Sequence, residues 1–429
     1  MEPTPNSLDA LLAFLLAGAL AVLLVPATRR LAVRLGAIDH PNERSLHRDP
    51  TPKLGGLAIL AGVLVAALIW LPWDGETRAI LIGAVAISLL GVVDDVHELG
   101  PLPKLAGQTA AVIVPVAAGV TVESFTFPFL GRLDPGSVEL LTLPWDGVVT
   151  LGEVGTVAGI VAVINVINLI DGVDGLASGV CVISALALAV IALSLDRNAA
   201  GVLAALTAGA ALGFLFHGFP PASTFMGDTG SNLLGYLLGV VAVQGALKTN
   251  AVVALFLPLI ILAVPILDTG FVVAKRLKHR RPVYRADRWH FHHRMANIGF
   301  SQRRTLLYLY GWTLVMAALA LALRFVPYSD DHGNFEAAWT AVMIVCGLLA
   351  LGASVYLVTV LEILKLRQVR FRQLLSLRRQ AGRPAPEAEE IDLAVARELE
   401  TGSFPVVDPE TGEFEAVEGE PPEGSGNPH

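Results

Sequence analysis

Residues 154–195 read VGTVAGIVAVINVINLIDGVDGLASGVCVISALALAVIALSL. Asp171 and Asp174 are the only charged side chains in that stretch. They divide it into two apolar runs, 154–170 and 175–195, each near the roughly 20 residues that a helix needs to cross a bilayer. The connection is so short that the runs must form a helical hairpin, with Asp171-Gly172 and Asp174-Gly175 making the turn. A spacing of three places Asn165, Asn168 and Asp171 along one helix face. Asp174 as a helix cap and the glycines as turn residues would need no further role. Two asparagines inside a membrane span do, because unpaired polar groups are costly there.

The same apolar pattern recurs along the chain. Of 429 residues, 54% are hydrophobic and only 16% charged, too little polar surface for a soluble protein of this size. Eleven runs stand out, at about 8–27, 54–72, 79–93, 105–120, 154–170, 175–195, 199–217, 232–246, 251–273, 305–326 and 337–363. The expected fold is therefore an all-α polytopic membrane protein of about eleven transmembrane helices, with its termini on opposite sides. Basic residues collect on cytoplasmic loops. With the N-terminus outside, 25 of the 30 Lys and Arg fall on the cytoplasmic face, and only Arg78, Arg132, Arg197, Lys248 and Arg324 on the other. That fixes the expected orientation as N-terminus outside, C-terminus cytoplasmic. The N-terminal residues lack the basic start and small-residue cleavage site of a secretory signal, so the first run is read as a retained span.

Three domains are expected: a transmembrane catalytic domain over 1–365, a basic juxtamembrane segment over 366–383, and an acidic tail over 384–429. The tail carries thirteen acidic residues against one basic, Arg397, and so accounts for the net charge of −8. Its Glu, Pro and Gly content suits disorder, with a short helix conceivable around 391–400. The loop at 121–153, the longest on the outer face, has β-leaning stretches and the turn formers Asp134-Pro135-Gly136, which suit a small hairpin. Cys181 and Cys346 lie inside apolar runs without metal-ligand spacing and read as small buried hydrophobes.

Four further polar constellations fall on the cytoplasmic face. Asp39 to Gly56 holds Arg44, His47 and Lys53 among prolines that fix the loop, just before Gly55-Gly56. Asp94-Asp95 ends the third run; paired carboxylates at a membrane boundary can hold a divalent cation or act as a base on a phosphate substrate. Solvation of a helix end is the plainer account of that pair. Phe225-Met-Gly-Asp228-Thr-Gly-Ser231-Asn232 combines glycines that let backbone approach an anion with an oxygen ligand of the kind Mg²⁺ prefers. Arg285-Ala-Asp-Arg288-Trp-His290-Phe-His292-His293-Arg294 offers His and Arg to phosphate. Together these are the equipment for pyrophosphate–Mg²⁺ chemistry between a soluble and a lipid reactant.

In family order, these five stretches resemble the polyprenyl-phosphate N-acetylhexosamine-1-phosphate transferases. The Asp39-x-Pro-Asn-x-Arg-x-x-His string, and Phe291 interrupting the histidines, are similar to the GlcNAc-1-phosphate branch rather than to the phospho-MurNAc-pentapeptide translocases. The resemblance implies transfer of GlcNAc-1-phosphate from UDP-GlcNAc to a polyprenyl phosphate in the plasma membrane, with release of UMP. It implies Mg²⁺ (Mn²⁺ as the alternative ion) at Asp228, with Asp171 as a second contributor. Asp94 or Asp95 would deprotonate or orient the lipid phosphate. Asn168, Asp171, Asp174 and Phe225 would serve the nucleotide, with Phe225 stacking on uracil. Arg288, His290, His292 and His293 would line the pyrophosphate, with Arg44 and Lys53 as further contributors. A homodimer is an expectation of the resemblance, and no nucleic-acid partner is expected. UDP-MurNAc-pentapeptide as donor, a secondary transporter, and a catalytically decayed scaffold are the alternatives. The carboxylates sit at span ends rather than at the midplane, which speaks against transport, and every acidic motif is retained, which speaks against decay.

Overall fold

The computed structural model describes residues 6–40, 50–127, 131–142, 148–247, 256–278, 300–328 and 336–357, with isolated positions beyond them. Each apolar run carries a helix: α1 (Ser7–Leu35), α2 (Gly56–Trp70), α3 (Gly75–His97), α4 (Pro101–Ala117), α5 (Leu151–Ile170), α6 (Leu176–Ser194), α7 (Asn198–Gly218), α8 (Gly227–Val241), α9 (Phe256–Ile261), α10 (Ala263–Lys278), α11 (Gln302–Phe325) and α12 (Ala337–Val355). Among the described residues, seven of these are long and apolar enough to cross a membrane by themselves: α1, α3, α5, α6, α7, α11 and α12. The others are shorter; α8 runs directly into a π-helical turn, Ala242–Leu247. The run at 251–273, expected as one span, is two helices. Pro265 has no N–H to donate to Ile261, and the ladder breaks there, at Leu262, before α10 resumes.

By its contacts the chain divides into two units, residues 1–284 with 306–350, and residues 285–305 with 351–429. In the second, the described part of the acidic tail is one antiparallel pair, Val406–Val407 with Phe414–Glu415; the segment around 391–400 lies outside the described residues.

The helical bundle belongs to the first unit. α5 begins on a reciprocal cap, in which Thr150 Oγ1 accepts from Glu153 N (3.2 Å) and Glu153 Oε2 from Thr150 N (2.9 Å). α1 lies against α7 with backbones touching: a methyl group on Gly209 would meet Phe14 O at 2.0 Å, and one on Gly213 would meet Gly18 O at 2.2 Å. Small residues allow such approach where lipid gives no hydrophobic drive between helices. Large apolar side chains such as Leu23, Phe216 and Leu307 point outward, as a lipid-facing surface requires. Between α4 and α5 the loop forms two antiparallel pairs, Phe125–Phe127 with Gly131–Leu133 and Glu139–Thr142 with Val148–Thr150. They stand at the end of α5 opposite Asp171. A short clasp, Ile38–Asp39 with Thr51–Pro52, closes the loop after α1.

Candidate active site

An apolar cavity of about 370 Å³ lies beside the first half of α5, lined by Gly155, Gly159 and Val163 with Phe125, Val243 and Leu262. It holds no chemistry. The polar groups gather instead at the other end of α5, where α3 and α5 end and α2, α4 and α8 begin.

The first turn of a helix leaves backbone N–H groups without partners, and at α8 they are met by Asp95. Its Oδ1 accepts from Asp228 N (2.9 Å), and its Oδ2 from Thr229 N (3.1 Å) and Thr229 Oγ1 (2.7 Å). A carboxylate at a helix N-terminus is also favoured by the helix dipole. The loop before α8 is stitched to α2: Phe225 N donates to Pro52 O (2.8 Å), Gly55 N to Phe225 O (2.9 Å) and Gly56 N to Met226 O (2.9 Å). No side chain would fit between these segments, since a methyl group on Gly56 would lie 2.2 Å from Gly230 N and one on Gly91 2.4 Å from Thr229 Cα. Gly227 has φ +67°, and its missing Cβ would sit 2.4 Å from Asp95 Oδ2. Gly227→Ala therefore combines a left-handed backbone, costing about 1–2 kcal/mol, with displacement of the cap. The expected result is a lower unfolding temperature in detergent; an unchanged melt would show that α8 is not held in this way.

Neighbouring residues on a helix project about 100° apart, so Asp94 looks elsewhere. Its Oδ1 accepts from Leu99 N (2.7 Å) and its Oδ2 lies 2.8 Å from Lys104 Nζ. Lys104 stands in the first turn of α4, opened by Pro101, whose missing N–H costs nothing at that position. The same ammonium reaches Asp228 Oδ1 (2.9 Å) and Asn168 Oδ1 (3.4 Å). Asn168 Nδ2 donates to Asp228 Oδ1 and to Ser231 Oγ, the latter at 2.9 Å, and Ser231 Oγ donates to Gly227 O (3.1 Å). Four helix ends thus meet in one network of Asp94, Lys104, Asp228, Asn168 and Ser231.

Asp171 directly follows α5. Burial first, and then the negative charges of Asp228, Asp95 and Asp174, hold its carboxyl well above the usual carboxylate range. A cation or a cationic substrate complex would relieve that. Asp174 Oδ2 accepts from Ala222 N (3.0 Å), tying the α5–α6 turn to the segment after α7. Tyr310 of α11 donates to Gly175 O (2.5 Å) from the other side.

The model of glycosyl transferase family 4 matches residues 77–246, the stretch that carries this whole network. A Bacillus subtilis protein named "probable undecaprenyl-phosphate N-acetylglucosaminyl 1-phosphate transferase" is 37% identical over 313 residues, 72% of this chain and 84% of the relative. The chain belongs to glycosyl transferase family 4. A decaprenyl-phosphate N-acetylglucosaminephosphotransferase of Mycolicibacterium smegmatis is 35% identical, covering 67% of this chain and 76% of the relative. A phospho-N-acetylmuramoyl-pentapeptide-transferase of Desulforudis audaxviator is 34% identical over 338 residues, 72% of this chain and 95% of the relative.

Within this family 4 chain, Asp94, Asn168 and Asp228 come together as their motifs suggested, with Asp171 close enough to feel Asp228. Asp95 is spent on the start of α8. Asp174 and Phe225 hold turns together through Asp174 Oδ2 and the Phe225 main chain. Lys53 Nζ lies 3.4 Å from Asp39 Oδ1, on the clasp beside α2. Arg44, Arg288, His290, His292 and His293 lie outside the described residues. Sequence reading passed over Lys104, counted only as a loop cation, and Gln108 after it. The signal was there: Pro101 marks a helix start, and Lys104 and Gln108, four apart, share a face of it.

Among the described residues no three His, Cys, Asp or Glu side chains are grouped to hold a metal ion alone. Mg²⁺ rarely asks for that; it keeps waters and takes one or two carboxylates with substrate phosphates. The donor chemistry fits such an ion: two carboxylates, Asp228 and Asp171, with Asp171 made costly to ionise by burial and then by its negative neighbours.

Proposed function

We propose that this chain transfers GlcNAc-1-phosphate from UDP-GlcNAc to a polyprenyl phosphate, giving polyprenyl-diphosphate-GlcNAc and UMP. The observation that carries the reading is the Lys104 ammonium held between Asp94 and Asp228 at the meeting point of four helix ends. Phosphoryl transfer is mostly a matter of positioning and of neutralising charge, and this is a charged, pre-positioned centre on an otherwise apolar bundle. An oxygen of the lipid phosphate attacks the sugar-bearing phosphorus; the bond from that phosphorus to the bridging oxygen breaks, and UMP leaves with that oxygen. Asp94, beside Lys104, would orient the lipid phosphate or take its proton, while Asp95 caps α8. Asp228 and Asp171 would hold Mg²⁺, which when bound neutralises pyrophosphate charge. Asn168 and Ser231 hold the Asp228 carboxylate in place.

The chain is taken to cross the plasma membrane eleven times, with this centre on the cytoplasmic face where 25 of 30 basic residues lie. By the family resemblance, Arg288, His290, His292 and His293 would serve the pyrophosphate. GlcNAc is favoured as the sugar by the Asp39 string and by Phe291, and by the names of the Bacillus and Mycolicibacterium relatives. The test is purified protein with undecaprenyl phosphate, Mg²⁺ and either UDP-GlcNAc or UDP-MurNAc-pentapeptide, assayed for UMP. Release with UDP-GlcNAc alone is expected. Release only with the pentapeptide donor would overturn the choice of sugar, and release with neither would overturn the reaction.

A further inference from the structure

One helical turn beneath the Lys104 network lies a second polar layer on three of its four helices, α4, α5 and α8. Asn165 Nδ2 donates to Gln108 Oε1 (2.8 Å) and to Val161 O (2.8 Å), and Gln108 Nε2 donates to Asn232 Oδ1 (3.3 Å). Gln108 and Asn232 are wholly buried. The register is the informative feature. Gln108 comes four residues after Lys104 on α4, Asn165 three before Asn168 on α5, and Asn232 four after Asp228 on α8. Each member of the lower layer therefore sits under a member of the upper one, on the same helix face and about 4.5–6 Å along the axis.

An apolar layer would pack here without this cost. The amide chain is not even saturated, since Asn232 Nδ2 has no partner among the described residues, and an unpaired buried donor is unfavourable. What three linked amides supply, and apolar side chains do not, is direction. They fix how α5 and α8 are rotated about α4. The upper layer depends on that rotation, because one ammonium must reach carboxylates on α3 and α8 and an amide on α5.

We propose that Gln108 is a positioning residue for the transfer reaction, acting through Asn165 and Asn232 to hold Lys104 within reach of Asp94, Asp228 and Asn168. It lies a turn away from that network and does not bind either reactant. The inference rests on the transferase reading above.

Two variants separate orientation from packing. Gln108→Met keeps length and volume but removes both hydrogen bonds. Gln108→Glu keeps a carboxyl oxygen to accept from Asn165 and, in its protonated form, an O–H to donate to Asn232. With the full chain in detergent, UMP release gives kcat and KM for UDP-GlcNAc, and unfolding temperatures are taken alongside. For Gln108→Met, kcat is expected to fall about 10- to 100-fold, the scale of misplaced reacting groups. Its KM should stay within about twofold, and its unfolding temperature should fall modestly, because Asn232 Oδ1 loses its donor. Gln108→Glu is expected to recover most of the kcat. Adding Asn165→Leu to Gln108→Met should cost little more, since both break one chain. Near-normal kcat in Gln108→Met, a rise in KM alone, or equal loss of stability and activity in the Met and Glu variants would each overturn the proposal. Failure of the transferase reading is distinguishable, because the unsubstituted protein would then release no UMP from UDP-GlcNAc.

Discussion

Asp228→Asn is expected to lower UMP release by about 10³-fold, the upper end of what one electrostatic group contributes to a preorganised site. The fold should survive the change. An asparagine has the shape of the aspartate, and its Oδ1 can still accept from Lys104 and Asn168. The backbone N–H of residue 228 still donates to Asp95, so the start of α8 remains capped. What disappears is a negative charge at the one position shared by Lys104, Asn168 and the proposed Mg²⁺. Of its two carboxylate partners Lys104 then keeps only Asp94, and the oxygen ligand of the ion becomes a neutral amide oxygen. The measurement is UMP release at saturating UDP-GlcNAc and polyprenyl phosphate over a range of Mg²⁺ concentrations, with yield and unfolding temperature as controls. Turnover within about tenfold of the unsubstituted protein, at any Mg²⁺ concentration, would remove Asp228 from the centre of the chemistry.

The sequence displays much of this site and little of its division of labour, for physical reasons. Apolar length reports a helix well, so all eleven runs carry helices. It does not report a break such as that before Pro265, where one missing N–H outweighs the hydropathy of the surroundings. Polar residues inside apolar runs are conspicuous, and Asn165 and Asn168 share a face as their spacing requires, with Asp171 just past the helix end. Spacing does not say what stands opposite. Asn165 meets Gln108 and belongs to the helix-orienting layer, whereas Asn168 meets Asp228 and belongs to the charged one. Asp94 and Asp95 look equivalent as letters. A helix must separate them in direction, and which one faces the α8 start depends on the rotation of α3, a tertiary property. Lys104 was hidden by its company: Pro101 and Pro103 read as loop, and positive-inside counting gives a lone lysine no individual meaning.

Lys104→Met is the companion experiment, with an expected fall in kcat of about 10²- to 10³-fold. The ammonium has three protons, and the site offers Asp94 Oδ2 at 2.8 Å, Asp228 Oδ1 at 2.9 Å and Asn168 Oδ1 at 3.4 Å. Methionine matches the unbranched stem but leaves two carboxylates facing each other without the cation between them. Mutual repulsion would then push the ends of α3 and α8 apart, or draw in another cation in a different place. Arginine is expected to rescue poorly, since its planar fork cannot aim one compact charge at three oxygens on three helices. A merely solvated surface lysine would give the opposite pattern, with both variants near normal. Coupling is the sharper readout. If Lys104 and Asp228 work as one unit, the double variant Lys104→Met/Asp228→Asn should lose scarcely more than Asp228→Asn alone. Losses that multiply would mean that the two act separately, and the ammonium would then be a local counter-charge for Asp94 rather than the joint that brings four helix ends to bear on the reacting phosphates.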